Sequence, residues 1–537
     1  MRSRILSTRD LILAFLRPRA YALIWLGLLT CLLVEIACHP LVINHDCAYI
    51  VQGAQMMLEG KRLYIDFVDS NPPLAFYLSA VPVLLASALS IGKILAFSLC
   101  VFLLVAWSTW MVRRILGQRK GRVDPSDVEL VAVFWVLLSL YVWNAGDFGQ
   151  REHLFALLYL PFFLMRVSRW EDGEVTPAQA IGLGVAGAIG ACIKPHFLLI
   201  AAAPEAFACV SKRTIRGLLR PEMLAFVGTG LSYGAHFLLL PAAMRDELFH
   251  HLVPFHLKAY DVYHEPLSSV LAYGASFFGV DANVVGMGAG LAALSFLLVP
   301  TRATELWRFA RPLGVVTAAA VVVYLVQHTD WSYHAIPAVY GIVLLCAVML
   351  TQARLLVFRG DEGAEGAFRL PLTRLQVAAL GLGALGGAAG TVLSGGVAKL
   401  EETGVSQMIS RYSSRGDAVA FVSTSIGASY PLLLQMERRP ANRYPGNLPI
   451  VFVIALKERD RPLALREEAR FVGELVDDIT LKRPKIVFVD SAPNCQGCPP
   501  GFVISTYLSG FESFNRALAS YNLVGYVRRF SVYVRSS

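Results

Sequence analysis

Charged residues are scarce in this sequence. Of its 537 residues, 16% are Asp, Glu, Lys or Arg, whereas 55% are hydrophobic. A soluble globular protein carries about a quarter of its residues as charged side chains, so this composition excludes an ordinary soluble protein of the same length. A surface that faces hydrocarbon has no use for charge. The scarcity of charge therefore predicts an α-helical protein that crosses a membrane many times.

Several other classes of protein are disfavoured by patterns that the sequence lacks. It has no visible internal repeat, which many transporters have. Most of its nine Cys lie inside apolar runs, where they are typical of small buried side chains. The net charge of +9 does not indicate a nucleic-acid partner, because the Lys and Arg form short clusters between apolar runs. Such clusters fix the orientation of membrane helices.

Apolar runs that could span a membrane recur along the first 394 residues. A helix needs about 20 apolar residues to cross the hydrocarbon core. We predict about eleven spans, at 20–40, 91–112, 129–146, 153–167, 178–193, 197–210, 222–241, 283–300, 312–327, 334–351 and 375–394. An odd number of spans puts the two ends of this module on opposite sides of the membrane.

Residues 73–89 decide the topology. This run is apolar, but counting it as a span would put the basic cluster at 113–122 opposite the N-terminal arginines, against the positive-inside rule. We therefore expect a helix that lies in the outer interface. The basic clusters then all face the cytoplasm, at 2–19, 113–122, 166–169, 211–220, 302–311 and 352–374.

The C-terminal part of the chain has a different character. Residues 417–424 and 484–491 are short β-branched runs, and 462–481 between them has helical spacing. Strand, helix and strand predict a small α/β domain. We expect a membrane module at 1–394 and an outward-facing domain at 395–537, periplasmic if the protein lies in a bacterial inner membrane.

The first outer loop carries an acid close to the membrane boundary. Asp46 follows the first predicted span by a few residues, and a carboxylate held there is costly unless it is paired or functional. The simpler alternative is a solvated acid that caps the following helix. After that helix come Gly60 and Tyr64 in a Gly-x-x-x-Tyr pattern, and then Pro72-Pro73-Leu74.

This order of motifs resembles the GT-C superfamily of polyprenyl-phosphate-dependent glycosyltransferases, which includes protein O-mannosyltransferases and the lipid A aminoarabinose transferase. The likeness extends to an acid in the second outer loop, a Lys-Pro pair at Lys194 and a His-x-x-Pro pattern at His334. The resemblance implies that Asp46 is the catalytic base and that the transfer inverts the anomeric carbon.

The second outer loop concentrates ionisable residues. It contains Asp147, Arg151, Glu152 and His153, and the simpler alternative is a polar turn with an Arg–carboxylate pair. The functional interpretation places Asp147 or Glu152 beside Asp46, while Arg151 and His153 meet phosphate. The resemblance implies that a second-loop acid partners Asp46, which points to Asp147 with Glu152 as the alternative. Neither outer loop has an Asp-x-Asp motif, so a divalent cation, Mg²⁺ or Mn²⁺, is an open alternative with Asp46 and Asp147 as candidate ligands.

Three further outer positions are candidates for contact with the donor phosphate or its sugar. Lys194 and His196 lie between two predicted spans, and His334 begins another, with Tyr64 as a fourth candidate from the first loop. Lys194 could equally reach the interface as a snorkelling side chain, and His334 could be an interface anchor.

Two outer segments are harder to assign. The 242–282 loop is rich in His but fits no standard zinc-ligand spacing, so we expect a flexible loop that closes over the substrates. Cys495 and Cys498 form a C-x-x-C pair that an oxidising compartment would allow to join, or that could remain two thiols.

Together these features predict an enzyme rather than a binding module. It would transfer a sugar from a polyprenyl-phosphate donor to a glycan, lipid or protein acceptor at the outer face of the membrane. The alternatives are a flippase or transporter of lipid-linked saccharides, and a ligase or polymerase of surface polysaccharide.

Overall fold

The computed structural model describes residues 30, 43–118, 123, 125–140, 147–170, 173–276, 308–329, 331–358, 404–446 and 448–536. The predicted spans at 20–40, 283–300 and 375–394 lie outside these residues, apart from Thr30.

Helices form the part of the chain before residue 404. The α-helices described there are α1 (His45–Leu58), α2 (Leu74–Leu89), α3 (Lys93–Gly117), α4 (Pro125–Leu140), α5 (Arg151–Trp170), α6 (Pro177–Cys192), α7 (Phe197–Lys212), α8 (Pro221–Leu239), α9 (Ala242–Asp246), α10 (Val253–Ala259), α11 (Leu267–Ser276), α12 (Ala310–Val326) and α13 (Ile336–Phe358). Shorter helical turns occur at Arg216–Leu219, Glu247–Leu252, Tyr260–Tyr263 and Ser332–Ala335.

Most predicted spans in the described ranges coincide with one of these helices, but their number is not confirmed. One described helix, α3, is long and apolar enough to cross a membrane. Helix α8 passes the same test only together with the helical segment Ala242–Tyr263, from which it is bent by 109°. Helices α2, α6 and α12 are apolar but shorter, with 16, 16 and 17 residues.

The surface of the helical part is suited to lipid. Large apolar side chains are exposed on α7 and α8, among them Leu199, Leu231 and Leu239. Between helices, small residues allow close packing, as they do in membranes. A Cβ added to Gly187 of α6 would lie 2.7 Å from the ring of Phe162 in α5.

A buried ion network joins α5, α7 and α8. Arg166, only 1% exposed, donates to Glu205 at 2.6 and 2.7 Å and to Glu222 at 2.8 Å. Arg169 adds a hydrogen bond of 3.2 Å to Glu222. The basic pair at 166–169 is therefore part of the packing between helices, as well as of the charge pattern in the sequence.

The C-terminal part is an α/β unit, as its sequence predicts. Its helices and strands are α14 (Gly404–Tyr412), β1 (Ala418–Val422), α15 (Leu432–Gln435), β2 (Arg439–Pro440), α16 (Leu448–Arg459), α17 (Arg461–Lys482), β3 (Ile486–Asp490), α18 (Ile504–Ser509), α19 (Glu512–Leu518), β4 (Tyr521–Val527) and β5 (Phe530–Arg535), with a 3₁₀ turn at Ile426–Ala428.

These strands form one mixed sheet of order β2-β1-β3-β5-β4. β1 is parallel to β2 and β3, and β5 is antiparallel to β3 and β4. β1 and β3 are buried because their side chains are apolar, and the rings of Phe421 and Phe488 stack at 4.6 Å. Helix α17 begins where the Asp460 side chain accepts from the Leu463 N–H.

The α/β unit packs directly on the segment between residues 43 and 73 and on the 242–263 segment. The backbone N–H of Val68 donates to the carbonyl of Arg443 at 2.8 Å, and the rings of Tyr49 and Tyr430 meet at 5.6 Å. Phe255 of α10 contacts Phe452 of α16, with ring centroids 5.5 Å apart.

The 242–263 segment is helical, whereas we expected a flexible loop. His251 lies between Glu247 of the same segment and Glu467 of α17, at 2.6 Å from each. Arg470 of α17 also donates to Glu247 at 2.6 Å. The His residue thus takes part in an ion-paired interface between the segment and the α/β unit.

Candidate functional site

A cavity of about 1430 Å³ lies between the helical part and the α/β unit. Its walls come from the first outer loop, the turn before α5, the 194–196 turn, the 242–263 segment, the Ser332–Ala335 turn and the α/β unit. Of the predicted site residues, those that line it are Asp46, Asp147, Arg151, Lys194, His196 and His334.

Asp46 is placed in the first turn of α1 by local capping. The Asn44 side chain accepts from the Asp46 N–H at 2.8 Å, so the helix begins at His45. The side chain of Gln150 donates to Asn44 at 2.9 Å and to Asp46 at 3.4 Å. A nitrogen of Arg151 lies 3.7 Å from Asp46 Oδ2. The segment around Asn44 and the turn before α5 therefore meet at this carboxylate.

Asp147 is the second carboxylate of the cavity. Burial raises its pKa to about 6; a hydrogen bond from Ser332 opposes the shift, and the nearby charges of Glu152 and Asp46 add to it. Its Oδ2 is buried and has no hydrogen-bond partner within the described chain. A carboxylate with a free oxygen and a pKa near neutrality is chemically suited to accept a proton.

The turn that presents Asp147 depends on Gly149. This residue has a φ of +80°, and a Cβ there would lie 2.5 Å from the ring of Phe97. Its N–H donates to His153 Nδ1 at 3.0 Å. The turn is thereby held against α3 and the start of α5.

Two cations face the same cavity. Lys194 bonds to Glu152 and lies 5.2 Å from the centre of the Tyr333 ring. Burial and the charge of Arg151 lower its pKa to about 8, although Glu152 acts in the opposite direction. The guanidinium of Arg151 keeps a buried Nε that lacks a partner among the described residues. Both groups are able to bind an anion that enters the cavity.

Two imidazoles, those of His196 and His334, lie on this wall. Burial lowers the pKa of His196 to about 3, with further lowering by Lys194 and Arg151. The Nε2 of His196 is buried with no partner in the described structure. His334 pairs through Nδ1 with the Thr329 hydroxyl at 2.7 Å. Both imidazoles can exchange hydrogen bonds with a ligand.

Three predicted site residues lie outside the set of described residues that line the cavity. Glu152 is 1% exposed and is bonded to Lys194. His153 is 2% exposed and accepts from Gly149. Tyr64 is 1% exposed and donates to the carbonyl of Asn71 at 3.1 Å. Direct phosphate contact by His153 and Tyr64 stays a prediction, and in this structure each side chain is buried against the protein.

A divalent cation remains a prediction. Within the described residues no group of three or more His, Cys, Asp and Glu is arranged to hold a metal. A Mg²⁺ or Mn²⁺ ion on Asp46 and Asp147 would take its other ligands from water and substrate.

Sequence reasoning missed some residues of the cavity. Ser332, which lines the cavity, and Gln150, which is buried behind its wall, position the two carboxylates, but neither has a charge that marks it in the sequence. The α/β unit contributes Thr424 to Gly427, which follow β1, and Gln496, which follows β3. Their position after parallel strands was the available signal. Cys495 and Cys498 on either side of Gln496 are joined by a disulfide.

Comparison with known proteins finds a match among solved structures alone. No family model matches the sequence, and no curated protein matches it. Two solved structures of ArnT from Cupriavidus metallidurans do match. The apo state is 13% identical with a TM-score of 0.58, covering 96% of this chain and 98% of that one. The state bound to undecaprenyl phosphate is 12% identical with a TM-score of 0.57, covering 96% and 99%. The chain therefore has the fold of these two ArnT structures.

Proposed function

We propose that this protein is a membrane glycosyltransferase that takes a sugar from a polyprenyl-phosphate donor. The observation that carries the proposal is the composition of one cavity, in which Asp46 and Asp147 face Arg151 and Lys194. Two carboxylates and two cations meet the needs of glycosyl transfer, which must remove a proton from an acceptor and hold a departing phosphate.

The donor class is supported by the fold. One of the ArnT structures has undecaprenyl phosphate bound. Helices α7 and α8 also expose apolar side chains suited to lipid, as a polyprenyl chain would require. Arg151 and Lys194 would bind the phosphate at the end of that chain.

The reaction can be written with these residues. The acceptor oxygen attacks the anomeric carbon while the bond from that carbon to the phosphate oxygen breaks. The acceptor proton passes to a carboxylate, and the polyprenyl phosphate leaves with its charge held by Arg151 and Lys194. Attack opposite the leaving group inverts the anomeric carbon.

Asp46 is the proposed base, and Asp147 is its partner. Glu152, the alternative partner, is bonded to Lys194 and lies behind the cavity wall. The pKa of Asp147, near 6, and its unpaired oxygen suit the same proton transfer. Separate substitutions of the two acids can therefore distinguish their roles.

A transfer assay tests the proposal. Purified protein in liposomes would be given a panel of radiolabelled polyprenyl-phosphate sugars together with an envelope extract as acceptor source. We expect labelled product with at least one donor, and loss of product in Asp46→Asn. Movement of the donor across the bilayer with no transfer would instead support a flippase, and transfer of only preformed polysaccharide would support a ligase.

A further inference from the structure

The sheet of the α/β unit has a switch in the direction of its connections. β1 and β3 are parallel neighbours. The chain leaves β1 towards β2 on one side of the sheet, and leaves β3 towards β4 and β5 on the other. In open α/β sheets, ligands bind in the crevice at the carboxyl ends of two such strands.

This crevice opens into the cavity. Thr424 to Gly427 follow β1, Gln496 follows β3, and all of them line the cavity together with Asp46 and Asp147. The carboxyl-terminal edge of the sheet is the edge best suited to bind a ligand. In the α/β unit this edge faces the proposed reaction centre.

The two crevice loops are held in place by buried contacts. Asp490 at the end of β3 accepts from Ser423 at 3.1 Å and from Arg529 at 2.7 Å. A Cβ added to Gly446 would lie 2.9 Å from Ile426, so the loop after β1 packs closely on this glycine. The second loop is closed by the Cys495–Cys498 disulfide. Fixed loops of this kind cost little ordering entropy when a ligand binds.

Unpaired hydroxyls mark the crevice as a place for a ligand. Thr424 is 2% exposed, and its Oγ1 is buried without a partner among the described residues. The hydroxyl of Tyr263 is likewise buried without a partner among the described residues, and the ring of Tyr263 lies against Gly497. A buried hydroxyl with no partner destabilises the protein unless a ligand or water satisfies it.

The chemistry of this wall is neutral. Its charged residues are already paired, since Arg470 bonds to Glu247 and Glu467 bonds to His251. The unpaired groups are hydroxyls, which both donate and accept. Such groups match the hydroxyls of a carbohydrate better than a phosphate or a carboxylate.

We propose that the crevice between the loops after β1 and β3 binds the acceptor, and that the bound portion is an uncharged sugar. Thr424 and Tyr263 bind its hydroxyls, and the acceptor hydroxyl that reacts points towards Asp46 and Asp147. This inference rests on the proposed transferase function, because only a transfer reaction has an acceptor.

A measurement of saccharide affinity tests this inference separately from catalysis. Neutral di- and trisaccharides of glucose, galactose, mannose and N-acetylglucosamine would be titrated into the full-length protein in detergent. We expect at least one to bind, and Thr424→Val to weaken it about 5- to 10-fold through loss of a hydrogen bond. Thr424→Ser should stay within about twofold of the wild type, since it keeps the hydroxyl. Thr480→Val, which changes an exposed threonine of α17, is the matched control.

The inference is overturned if none of these saccharides binds, if only phosphorylated saccharides bind, or if Thr424→Val binds as the wild type does. If a saccharide binds, Thr424→Val weakens its binding and no donor supports transfer, then the crevice is a saccharide site and the proposed transferase function is wrong. If transfer occurs and Thr424→Val leaves the KM for the acceptor unchanged, then the transferase function is supported and the crevice is not the acceptor site.

Discussion

Lys194 and Glu152 form a buried ion pair at the wall of the cavity. The ammonium of Lys194 bonds to Glu152 Oε1, and His334 Nε2 lies 4.0 Å from the same oxygen. Lys194 lines the cavity, whereas Glu152 lies outside the described residues that do so. Glu152 is therefore a positioning residue in the proposed mechanism, and its charge helps to keep Lys194 protonated.

Substitution of Glu152 should change the pH dependence of the reaction. Since Glu152 raises the pKa of Lys194 against the effect of burial, Glu152→Gln should move this pKa below about 8. The alkaline limb of kcat/KM should then shift to lower pH, while activity at pH 6.5 falls less than it does at pH 8. Glu174→Gln, an exposed change, is the control. An unshifted limb would mean that Lys194 does not bind the donor phosphate as an ammonium.

The wild-type protein should show a bell-shaped pH profile. Asp147, the proposed partner of the base Asp46, must be ionised to orient the acceptor hydroxyl towards Asp46, so activity should fall as the pH drops through about 6. Lys194 must be protonated to hold phosphate, so activity should also fall as the pH rises through about 8. Measuring kcat/KM from pH 4.5 to 9.5 checks both limbs, and a profile that is flat from 5 to 9 would contradict the assignment.

Loss of either cavity carboxylate should remove most of the activity. General base catalysis contributes about 10²- to 10⁴-fold to a rate, so Asp46→Asn should lower kcat within that range with little change in donor binding. Asp147→Asn removes the proposed partner and not the base, so kcat should fall less than in Asp46→Asn, and the acid limb near pH 6 should disappear. Asp66→Asn is the matched control, because Asp66 pairs with Arg62 in the same outer loop, away from the cavity.

The ion network around Arg166 should matter for stability and not for chemistry. Glu222→Gln removes the buried carboxylate that pairs with both Arg166 and Arg169. Breaking a buried pair costs about 3–5 kcal/mol, so the melting temperature in detergent should fall by several degrees. The exposed pair of Arg516 and Glu512 offers the control, and Glu512→Gln should leave the melting temperature almost unchanged.

His251 should make the docking of the α/β unit depend on pH. Burial lowers its pKa, but the hydrogen bonds to Glu247 and Glu467 outweigh this and raise it from 6.5 to about 9. Because the folded pKa is the higher one, the stabilisation is complete below about pH 6.5 and is lost as the pH rises through about 9. The melting temperature of His251→Gln should therefore be lower than that of the wild type at pH 6. The two melting temperatures should converge near pH 10. A constant difference over that range would refute the role of the imidazolium.

Much of the fold could be predicted from local patterns. The β-branched runs at 417–424 and 484–491 became β1 and β3, and the helical spacing at 462–481 became α17. The number of membrane spans could not be obtained in this way. The helical segment after α8 follows Pro241 and is bent by 109° from α8, and α6 and α12 have only 16 and 17 residues, so an apolar run does not by itself show whether it is a complete span.

The candidate site also contains residues that the sequence could predict and residues that it could not. Asp46, Asp147, Arg151 and Lys194 could be selected because charge is conspicuous between apolar runs. The sequence could not separate these residues from their neighbours Glu152 and His153. Those two also carry ionisable side chains between apolar runs, but in the structure their side chains turn into the protein. Thr424 and Tyr263 are ordinary residues in sequence, and only the docking of the α/β unit brings them to the cavity.

The sequence by itself determined that the chain is apolar and helical, that it ends in an α/β unit, and which charged residues stand at the ends of its helices. These properties depend on composition and on spacing over a few residues. The tertiary structure decided which of those charges share a cavity and which wall faces them. Burial, pairing and a pKa depend on atoms that are distant in the chain, as when Ser332 meets Asp147 or when α17 meets His251.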